Sequence, residues 1–443
     1  MDWRIPIRWR IFSLLFCFGF LAYVQQKTIT VAAARIMPEL HLSQVQIGFL
    51  EQAFVIGYAL CQLPGGILGQ KVGARWTFVI TGLSAFAATV ATPIAPLVLS
   101  GQLLFVALLG AQWLLGCSHG ALFPVSAGLF EAWYPPNRWS LVQGLQTMAL
   151  GFGAAIVPPL VATLMLLVGW QLALLWISLP ALVLIALWGW YARNTPKEHP
   201  AVSPGELQAI GHRDAVHASV DAKQLLRLAR NRNVVLLFLA YMSMNYTYYL
   251  LSNWVFLYLI EERGFSVLHG GWLAALPPLA AALGAGVGGI LTSAFTQRYG
   301  DCWGYRMVPL MALPAAAALL IIVAASPNPY GAVVALASCF GAIELTEAPF
   351  WAAGMNIGRG DTMAVCGIMN TGGNLGGIIS LPIIGYLSGL QAWRVCFLIG
   401  GALAILSAAC WLWITIISPT GSVEPLPRSG EISARVPSEI IAG

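Results

Sequence analysis

The chain has 443 residues, of which only 9% are charged and 58% are hydrophobic, and its mean hydropathy is +0.78. A soluble domain carries roughly a quarter charged residues, so this composition excludes an ordinary soluble protein. The net charge of +5 could suggest an acidic partner, but the placement of the basic residues argues against one.

Twelve apolar stretches recur along the chain, each long enough to cross a bilayer, which takes about 20 residues. They are Ile11–Ala34, Gly48–Leu68, Thr77–Ala95, Gly101–Phe130, Leu141–Val168, Gln171–Tyr191, Val234–Ile260, Gly271–Phe295, Met307–Ala325, Gly331–Ile357, Met363–Leu387 and Val395–Ile417. Lipid offers the backbone no hydrogen-bond partners, and no strand alternation is visible. We therefore predict an all-α membrane protein with twelve transmembrane helices.

The basic residues lie mainly on one side of these helices. With the N-terminus inside, the even-to-odd loops and both tails hold 18 of the 22 Lys and Arg residues. The opposite side holds Arg35, Arg263 and Arg394, and Lys27 lies within the first helix. This asymmetry follows the positive-inside rule, so we expect cytoplasmic N- and C-termini and no nucleic-acid partner. The eight cysteines have no metal-binding spacing, so we expect no metal site, and no cofactor is indicated.

Two similar halves make up the chain. A polar connection over residues 192–233 separates six helices in residues 1–191 from six in residues 234–417, and the tail 418–443 has the composition of a disordered segment. GGIL at Gly65 recurs at Gly288, and the pattern from His119 to Pro124 corresponds to the pattern from Glu344 to Pro349. A duplicated six-helix unit is typical of a transporter that alternates access around a site at the bilayer midplane.

Several motifs carry a resemblance to a known family. LPGGILGQKVGAR, from Leu63, resembles the loop motif after the second helix of the major facilitator superfamily. CQLPGG, NWVFLYLIEERGFS and GIMNTGGNLGGIISLPIIGYL resemble the anion:cation symporter family, which includes transporters of sugar acids and other organic anions. The resemblance implies the major facilitator fold and a loop that braces one half against the other. That loop keeps Gly69, Lys71, Gly73 and Arg75, but Gln70 replaces the acid, so we expect weaker or differently built bracing.

Polar side chains inside lipid are costly, at ~3 kcal/mol for a charge at a helix centre, so we expect them to face a water-filled cavity. Helical spacing groups them into stripes that could face it together. The stripes are Tyr23, Gln26, Lys27 and Thr30; Gln112, His119 and Ser126; Gln143, Gln146 and Thr147; Asn245, Tyr248, Tyr249, Ser252 and Asn253; Glu344, Glu347 and Trp351; and Asn370, Gly373, Asn374 and Gly377. In the family that the chain resembles, the helices that carry these stripes line the cavity.

From these stripes we predict a set of functional residues. Those predicted to bind substrate are Tyr23, Gln26, Lys27, Tyr248, Tyr249, Asn253, Asn370 and Asn374, and those predicted to carry protons are His119, Glu344 and Glu347. For several of these residues, a purely structural role remains an alternative. Lys27 could extend to the outer headgroups, His119 could bond a neighbouring helix, and the two asparagines of the eleventh helix could serve packing.

Two further expectations concern orientation and the outer surface. Only one of Tyr248 and Tyr249 is expected to point inward. Glu51 begins the second helix near the outer surface, where an interfacial or gating role is favoured over substrate binding.

The chain departs from the family at two functional positions. The family often has Asp-Arg in the first helix, in a stretch resembling YVDRAN, and its Arg grips the substrate carboxylate. The corresponding stretch here is YVQQKT, which places Gln25 and Gln26 at those positions and Lys27 one residue further on. The family also often has a protonatable Glu in the fourth helix, where this chain has His119. These departures weaken the transfer of substrate and coupling roles.

The formal charge of the candidate site allows two interpretations. Lys27, His119, Glu344 and Glu347 sum to −1 with a neutral His. One glutamate could be protonated at rest, because burial and a like-charged neighbour both favour the neutral acid, and two such acids should titrate as a coupled pair. Alternatively, the glutamates bind a cationic or neutral metabolite directly, in a proton-coupled transporter or antiporter.

We favour proton-coupled symport of a small organic anion, a carboxylate or sugar acid. No nucleophile–base pair or metal cluster indicates an enzyme, and no segment is large enough for the output domain of a sensor. We expect a multi-pass monomer in the plasma membrane, as in a bacterial inner membrane, whose partners are the substrate, protons and lipid.

Overall fold

The structure, a computed structural model, describes residues 5–211 and 222–416. The first part of the chain forms six helices: α1 (Ile7–Glu39), α2 (Gln44–Val72), α3 (Ala74–Val98), α4 (Gly101–Gly120), α5 (Leu122–Trp133) and α6 (Trp139–Tyr191). Two short helices follow, α7 (Pro204–Ile210) and α8 (Ala222–Ala229). The remaining helices are α9 (Arg232–Glu261), α10 (Val267–Ala274), α11 (Leu276–Ala325), α12 (Pro329–Leu345), α13 (Glu347–Gly358), α14 (Thr362–Gly389) and α15 (Trp393–Trp413).

The predicted apolar stretches lie in these helices, although the boundaries differ. The fifth and sixth stretches share α6, which turns sharply at Gly169 (φ 78°), and the eighth and ninth are separated by a similar turn at Gly300 (φ 76°) within α11. Glycine is favoured at both positions because a side chain strains this backbone conformation. Among residues 5–211 and 222–416, nine helices are long and apolar enough to cross a membrane. The count of twelve spans and the cytoplasmic termini remain predictions, and the predicted disordered tail lies outside the described residues.

Two predicted helices are interrupted at corresponding points. The fourth breaks at Ala121, between α4 and α5, and the tenth breaks at Thr346, between α12 and α13. A proline follows three residues after each break, Pro124 and Pro349, and its missing N–H removes one bond of a continuous helix. Thr346 also donates its hydroxyl to the Ile343 carbonyl at 2.7 Å. The predicted tenth helix is therefore one apolar span, Pro329–Gly358, with a one-residue break at Thr346 between Glu344 and Glu347.

Close packing of α11 against α12 depends on small residues. A Cβ added to Gly284 would collide with the Gly341 carbonyl oxygen, and one added to Gly288 would collide with the Leu345 carbonyl oxygen. Small residues of this kind let helices approach closely in membranes, where packing replaces the hydrophobic effect between helices. This contact fixes the end of α12, and with it the position of Glu344.

We expect Gly288→Ala to destabilise the protein by about 1–3 kcal/mol, the usual cost of overpacking. The measurement is the thermal unfolding midpoint in detergent. Gly48→Ala is the matched control, because a Cβ there meets nothing within 4 Å. Equal midpoints for Gly288→Ala and Gly48→Ala would contradict the packing account.

Hydrogen bonds that join α1–α6 to α9–α15 lie at the cavity described below or toward one end of the bundle. We call this the inner end and define it by the loop Gly69–Arg75 and the turn Arg359–Asp361. Here Ser293 donates its hydroxyl to the Asn137 carbonyl, and Gly360 N–H donates to Glu131. At the opposite, outer end, the described part of the chain shows no hydrogen bond between the two sets of helices. The structure is therefore closed at the inner end.

Candidate functional site

A cavity of about 200 Å³ lies between the two sets of helices. All eleven residues that the sequence predicted for substrate binding and proton coupling line it: Tyr23, Gln26, Lys27, His119, Tyr248, Tyr249, Asn253, Glu344, Glu347, Asn370 and Asn374. They come from α1, α4, α9, α12, α13 and α14. The structure thus brings the predicted residues together, while their individual roles remain predictions.

Lys27 is the cation of this cavity. Its side chain is half-buried, and its Nζ lies 5.8 Å from the centroid of the Tyr23 ring. In the part of the chain that the structure describes, no carboxylate oxygen lies within the 4.0 Å of an ion pair with Lys27. An ammonium group that lines a cavity without a counter-ion can pair with an anionic ligand.

Glu344 is the last acid of α12, and its side chain is only 4% exposed. It lines the cavity, and among the described residues its carboxylate receives no hydrogen bond. Burying an ionised carboxylate without hydrogen bonds is costly, so this group gains most from a proton or a ligand. The Glu344 carboxylate is therefore able to accept a proton or a hydrogen bond from a ligand in the cavity.

Glu347 has a different environment, although it is only one turn away. Both of its carboxylate oxygens lie 3.0 Å from the Tyr241 hydroxyl, which donates to them. The Trp351 indole donates to Oε2 at 2.9 Å. Both donors lie in the C-terminal helices, and Trp351 stacks on Phe123 of α5 with ring centroids 5.2 Å apart. The Glu347 carboxylate thus already accepts hydrogen bonds from Tyr241 and Trp351, in contrast to that of Glu344 among the described residues.

His119 lies at the edge of the cavity, at the end of α4. Its Nε2 is 3.2 Å from Gln25 Oε1, and its ring meets Phe54 edge-on at 5.7 Å between centroids. Gln25 occupies the place of the family's Asp and faces His119 rather than the cavity. The alternative that His119 bonds a neighbouring helix is therefore observed, together with its exposure to the cavity.

Amide side chains connect the helices around the cavity. Tyr249 donates its hydroxyl to Asn374 Oδ1 at 3.2 Å, and Asn370 Nδ2 donates to Gln62 Oε1 at 2.7 Å. The second bond crosses from α14 to α2. The two asparagines therefore line the cavity and also join helices, so the predicted alternatives do not exclude each other.

Some sequence expectations about orientation were wrong. Tyr248 and Tyr249 both line the cavity, where one was expected, because the cavity is wide enough to meet two adjacent positions of α9. Of the stripes predicted on the fourth and fifth helices, only part of each lines the cavity. Only His119 and Thr147 do, whereas Gln112, Ser126, Gln143 and Gln146 are buried between helices. Gln146, for example, donates to Ser126 at 3.3 Å.

Several residues that line the cavity were not predicted from the sequence, and four of them are aromatic: Phe54, Tyr58, Phe123 and Tyr241. Tyr241 continues the stripe of Asn245 and Tyr249 by one more turn, and Tyr58 lies seven residues after Glu51, so spacing could have found both. Glu51 itself is exposed outside the cavity and accepts a hydrogen bond from Thr30 at 2.8 Å. This placement is compatible with the interfacial or gating role expected for it.

The loop motif joins the two sets of helices without the missing acid. Gln70 is 2% exposed and donates to the Gly360 carbonyl at 3.0 Å and to Asp361 at 3.4 Å. Arg75 donates to the Gly189 carbonyl, within the N-terminal helices, and a Cβ on Gly69 would meet Met363 Sδ. Lys71 is exposed at the end of α2. The bracing is thus built differently, from an amide instead of a carboxylate.

Known proteins resemble this chain over nearly its whole length. A probable sulfoacetate transporter of Cupriavidus necator is 29% identical, covering 99% of this chain and 100% of that protein. A probable galactarate/D-glucarate transporter of Escherichia coli is 26% identical over 93% of this chain and 95% of its own. The crystal structure of the transporter FucP in the outward conformation superposes with a TM-score of 0.72 and 18% identity, covering 92% of this chain and 99% of that one.

Comparison with a model of a protein family assigns the chain to that family. The Major Facilitator Superfamily model matches residues 15–358, more than half of the sequence, and the helices and cavity described above lie largely within that range. The chain is a multi-pass integral membrane protein that transports a small molecule, and it belongs to the Major Facilitator Superfamily.

Proposed function

We propose that the protein is a secondary transporter that moves a small organic anion together with protons. The observation that carries this proposal is that one cavity is lined by both Lys27 and Glu344, and that among the described residues Lys27 has no ion-pair partner and Glu344 no hydrogen-bond donor. Relatives named as transporters of sulfoacetate and of galactarate/D-glucarate support an anionic substrate. Lys27, with Tyr23, Asn253 and Asn374, would bind the carboxylate or sulfonate and the hydroxyl groups.

Charge balance explains why a proton should accompany the anion. Lys27, Glu344 and Glu347 sum to −1, so an anion entering the cavity would meet net repulsion. A proton on Glu344 removes that repulsion and leaves Lys27 free to attract the substrate. Because each ligand then favours the binding of the other, proton and anion binding are linked thermodynamically. Glu347 and His119 line the same cavity and are further candidates to carry the proton.

In this proposal the substrate crosses the membrane by alternating access, in which the cavity opens first to one side and then to the other. The two six-helix units, residues 1–191 and 234–417, would rock about the cavity, connected by the linker 192–233. The inner-end bonds through Gln70 and Asp361 support the view that this conformation opens outward. We further propose that the protein acts as a monomer, in a bacterial inner membrane, with its termini in the cytoplasm.

A second candidate function rests on Glu344 itself. An unpartnered carboxylate on a cavity wall can also bind an ammonium group, so the protein could instead carry a cationic or neutral metabolite. In that case the substrate and the proton would compete for Glu344 rather than bind together. The two functions therefore predict opposite effects of pH on substrate affinity.

A ligand panel separates these functions. Purified protein is heated in detergent at two pH values with a carboxylate, a sulfonate, a sugar acid, an amine or a neutral sugar, and its unfolding midpoint is measured. We expect anions to raise the midpoint, because a ligand that binds the folded state stabilises it, and to do so more strongly at the lower pH. Stabilisation by amines alone, stronger at the higher pH, would favour the second function.

A further inference from the structure

The inner wall of the cavity is an aromatic contact between the two sets of helices. Phe123 belongs to α5 and Trp351 to α13, and their rings stack at 5.2 Å with an interplanar angle of 29°. Trp351 is 1% exposed and Phe123 is 7% exposed, although both line the cavity. The stack therefore separates the cavity from the inner end of the bundle.

Beyond the stack, toward the inner end, the two sets of helices are packed tightly. Met363 of α14 fills the space over Gly66 and Gly69 of α2 and Gly128 of α5, where an added Cβ would collide with it. Gln143 of α6 contacts the sulfur of Met355 at 3.7 Å. A substrate leaving by the inner end would have to pass both the aromatic stack and this packed region.

The indole of Trp351 is held in place by Glu347. The indole N–H donates to Oε2 at 2.9 Å, and the carboxylate is held in turn by the Tyr241 hydroxyl at 3.0 Å. Trp351 lies one turn after Glu347 in α13, so the bond also fixes the indole relative to its own helix. Charge-assisted bonds of this kind are stronger than neutral ones, which makes the carboxylate an effective anchor.

We propose that Phe123 and Trp351 form the inner gate of the transport cavity, and that Glu347 is the positioning residue that keeps Trp351 in the closed gate. Tyr241 and Trp351 occupy acceptor sites of the Glu347 carboxylate, whereas the Glu344 carboxylate accepts no hydrogen bond among the described residues. Glu347 thus serves the gate, and the unpartnered Glu344 remains the group for proton exchange. This inference rests on the alternating access of the proposed function, but not on the substrate or on the coupling ion.

The gate is tested by measuring the distance between the two sets of helices at the inner end, without substrate. Arg138→Cys and Arg298→Cys place spin labels on two exposed positions, one in each set, in a background without the native cysteines. Pulsed EPR then gives the ratio of the separated to the closed population. Phe123→Leu and Trp351→Leu should each raise this ratio about fivefold, the effect expected from losing one aromatic pair, and the double variant should raise it no further.

The role of Glu347 is tested by the same ratio. Trp351→Phe keeps an aromatic ring but loses the indole N–H. Glu347→Leu should raise the ratio of separated to closed molecules as much as Trp351→Phe does. In the Trp351→Phe background, Glu347→Leu should raise this ratio no further. Glu347→Gln keeps an acceptor oxygen and should stay near the wild-type ratio. Tyr241→Phe removes the donor that holds the carboxylate but keeps the bond to the indole, so it should raise the ratio less than Glu347→Leu does.

Two results would overturn the proposal. An unchanged ratio in both Phe123→Leu and Trp351→Leu would show that the stack does not hold the inner end closed, and these variants leave Glu347 intact. A full effect of Glu347→Leu in the Trp351→Phe background would show that Glu347 does not act through the indole. Failure of the anion proposal would change neither measurement, because no ligand or proton gradient is used.

Discussion

Lys27→Ala is expected to reduce the affinity for an anionic substrate at least about 30-fold, because removing one partner of a buried charge pair costs 2 kcal/mol or more. Lys27 is the lysine that lines the cavity in the described part of the chain, and no carboxylate there neutralises it. Its charge is therefore available to the substrate rather than committed to an ion pair. The measurement is the dissociation constant of whichever anion the ligand panel identifies, by isothermal titration calorimetry.

Two control variants show whether the loss of affinity comes from losing the charge at Lys27. Lys27→Arg keeps the charge and should retain most of the affinity. Arg35→Ala removes an exposed cation two turns further along α1, outside the cavity, and should leave the affinity unchanged if the charge acts by contact. An unaltered affinity in Lys27→Ala would place the substrate elsewhere, and would support the alternative in which Lys27 extends to the headgroups.

Glu344→Gln is expected to separate substrate exchange from proton coupling. The amide is nearly the same size as the acid but cannot gain or lose a proton, so it resembles the protonated state permanently. Exchange of labelled for unlabelled substrate across proteoliposome membranes should persist, because both occupied conformations remain accessible. An inward proton gradient should no longer stimulate net uptake, since no proton is released from this position.

The comparison for this variant is Glu51→Gln. Glu51 is exposed near the outer end and bonds Thr30, away from the cavity, so its substitution should preserve the response to the gradient. If Glu344→Gln responded to the proton gradient as the wild type does, the proton would be carried elsewhere. His119 would then be the next group to test.

The general plan of the molecule could be predicted from the sequence, because helix-forming segments and their polar stripes depend on local periodicity. All eleven candidate residues line the cavity because polar groups that are costly in lipid converge on the same water-accessible space. The repeat also paired His119 with Glu344, and the structure adds that each lies two residues before a helix break.

What could not be predicted depends on contacts between distant residues. Glu344 and Glu347 look equivalent in the sequence. Only the structure shows that Glu347 accepts hydrogen bonds from Tyr241 and Trp351, whereas Glu344 accepts none within the described ranges. Likewise, the loss of the acid at Gln70 suggested weaker bracing, because the sequence could not show that Gly360 and Asp361 of a distant turn accept its amide. Aromatic cavity residues such as Tyr58 resemble ordinary packing residues until their neighbours are known.

In the proposed mechanism, an anion held by Lys27 and a proton held by Glu344 cross the membrane together. The most direct test reconstitutes the protein in liposomes and follows uptake of the identified anion with and without an imposed inward proton gradient. We expect accumulation above the outside concentration only with the gradient, accompanied by alkalinisation of the outside medium. Accumulation that is insensitive to the gradient, or uptake of amines in exchange for protons with no uptake of anions, would contradict it.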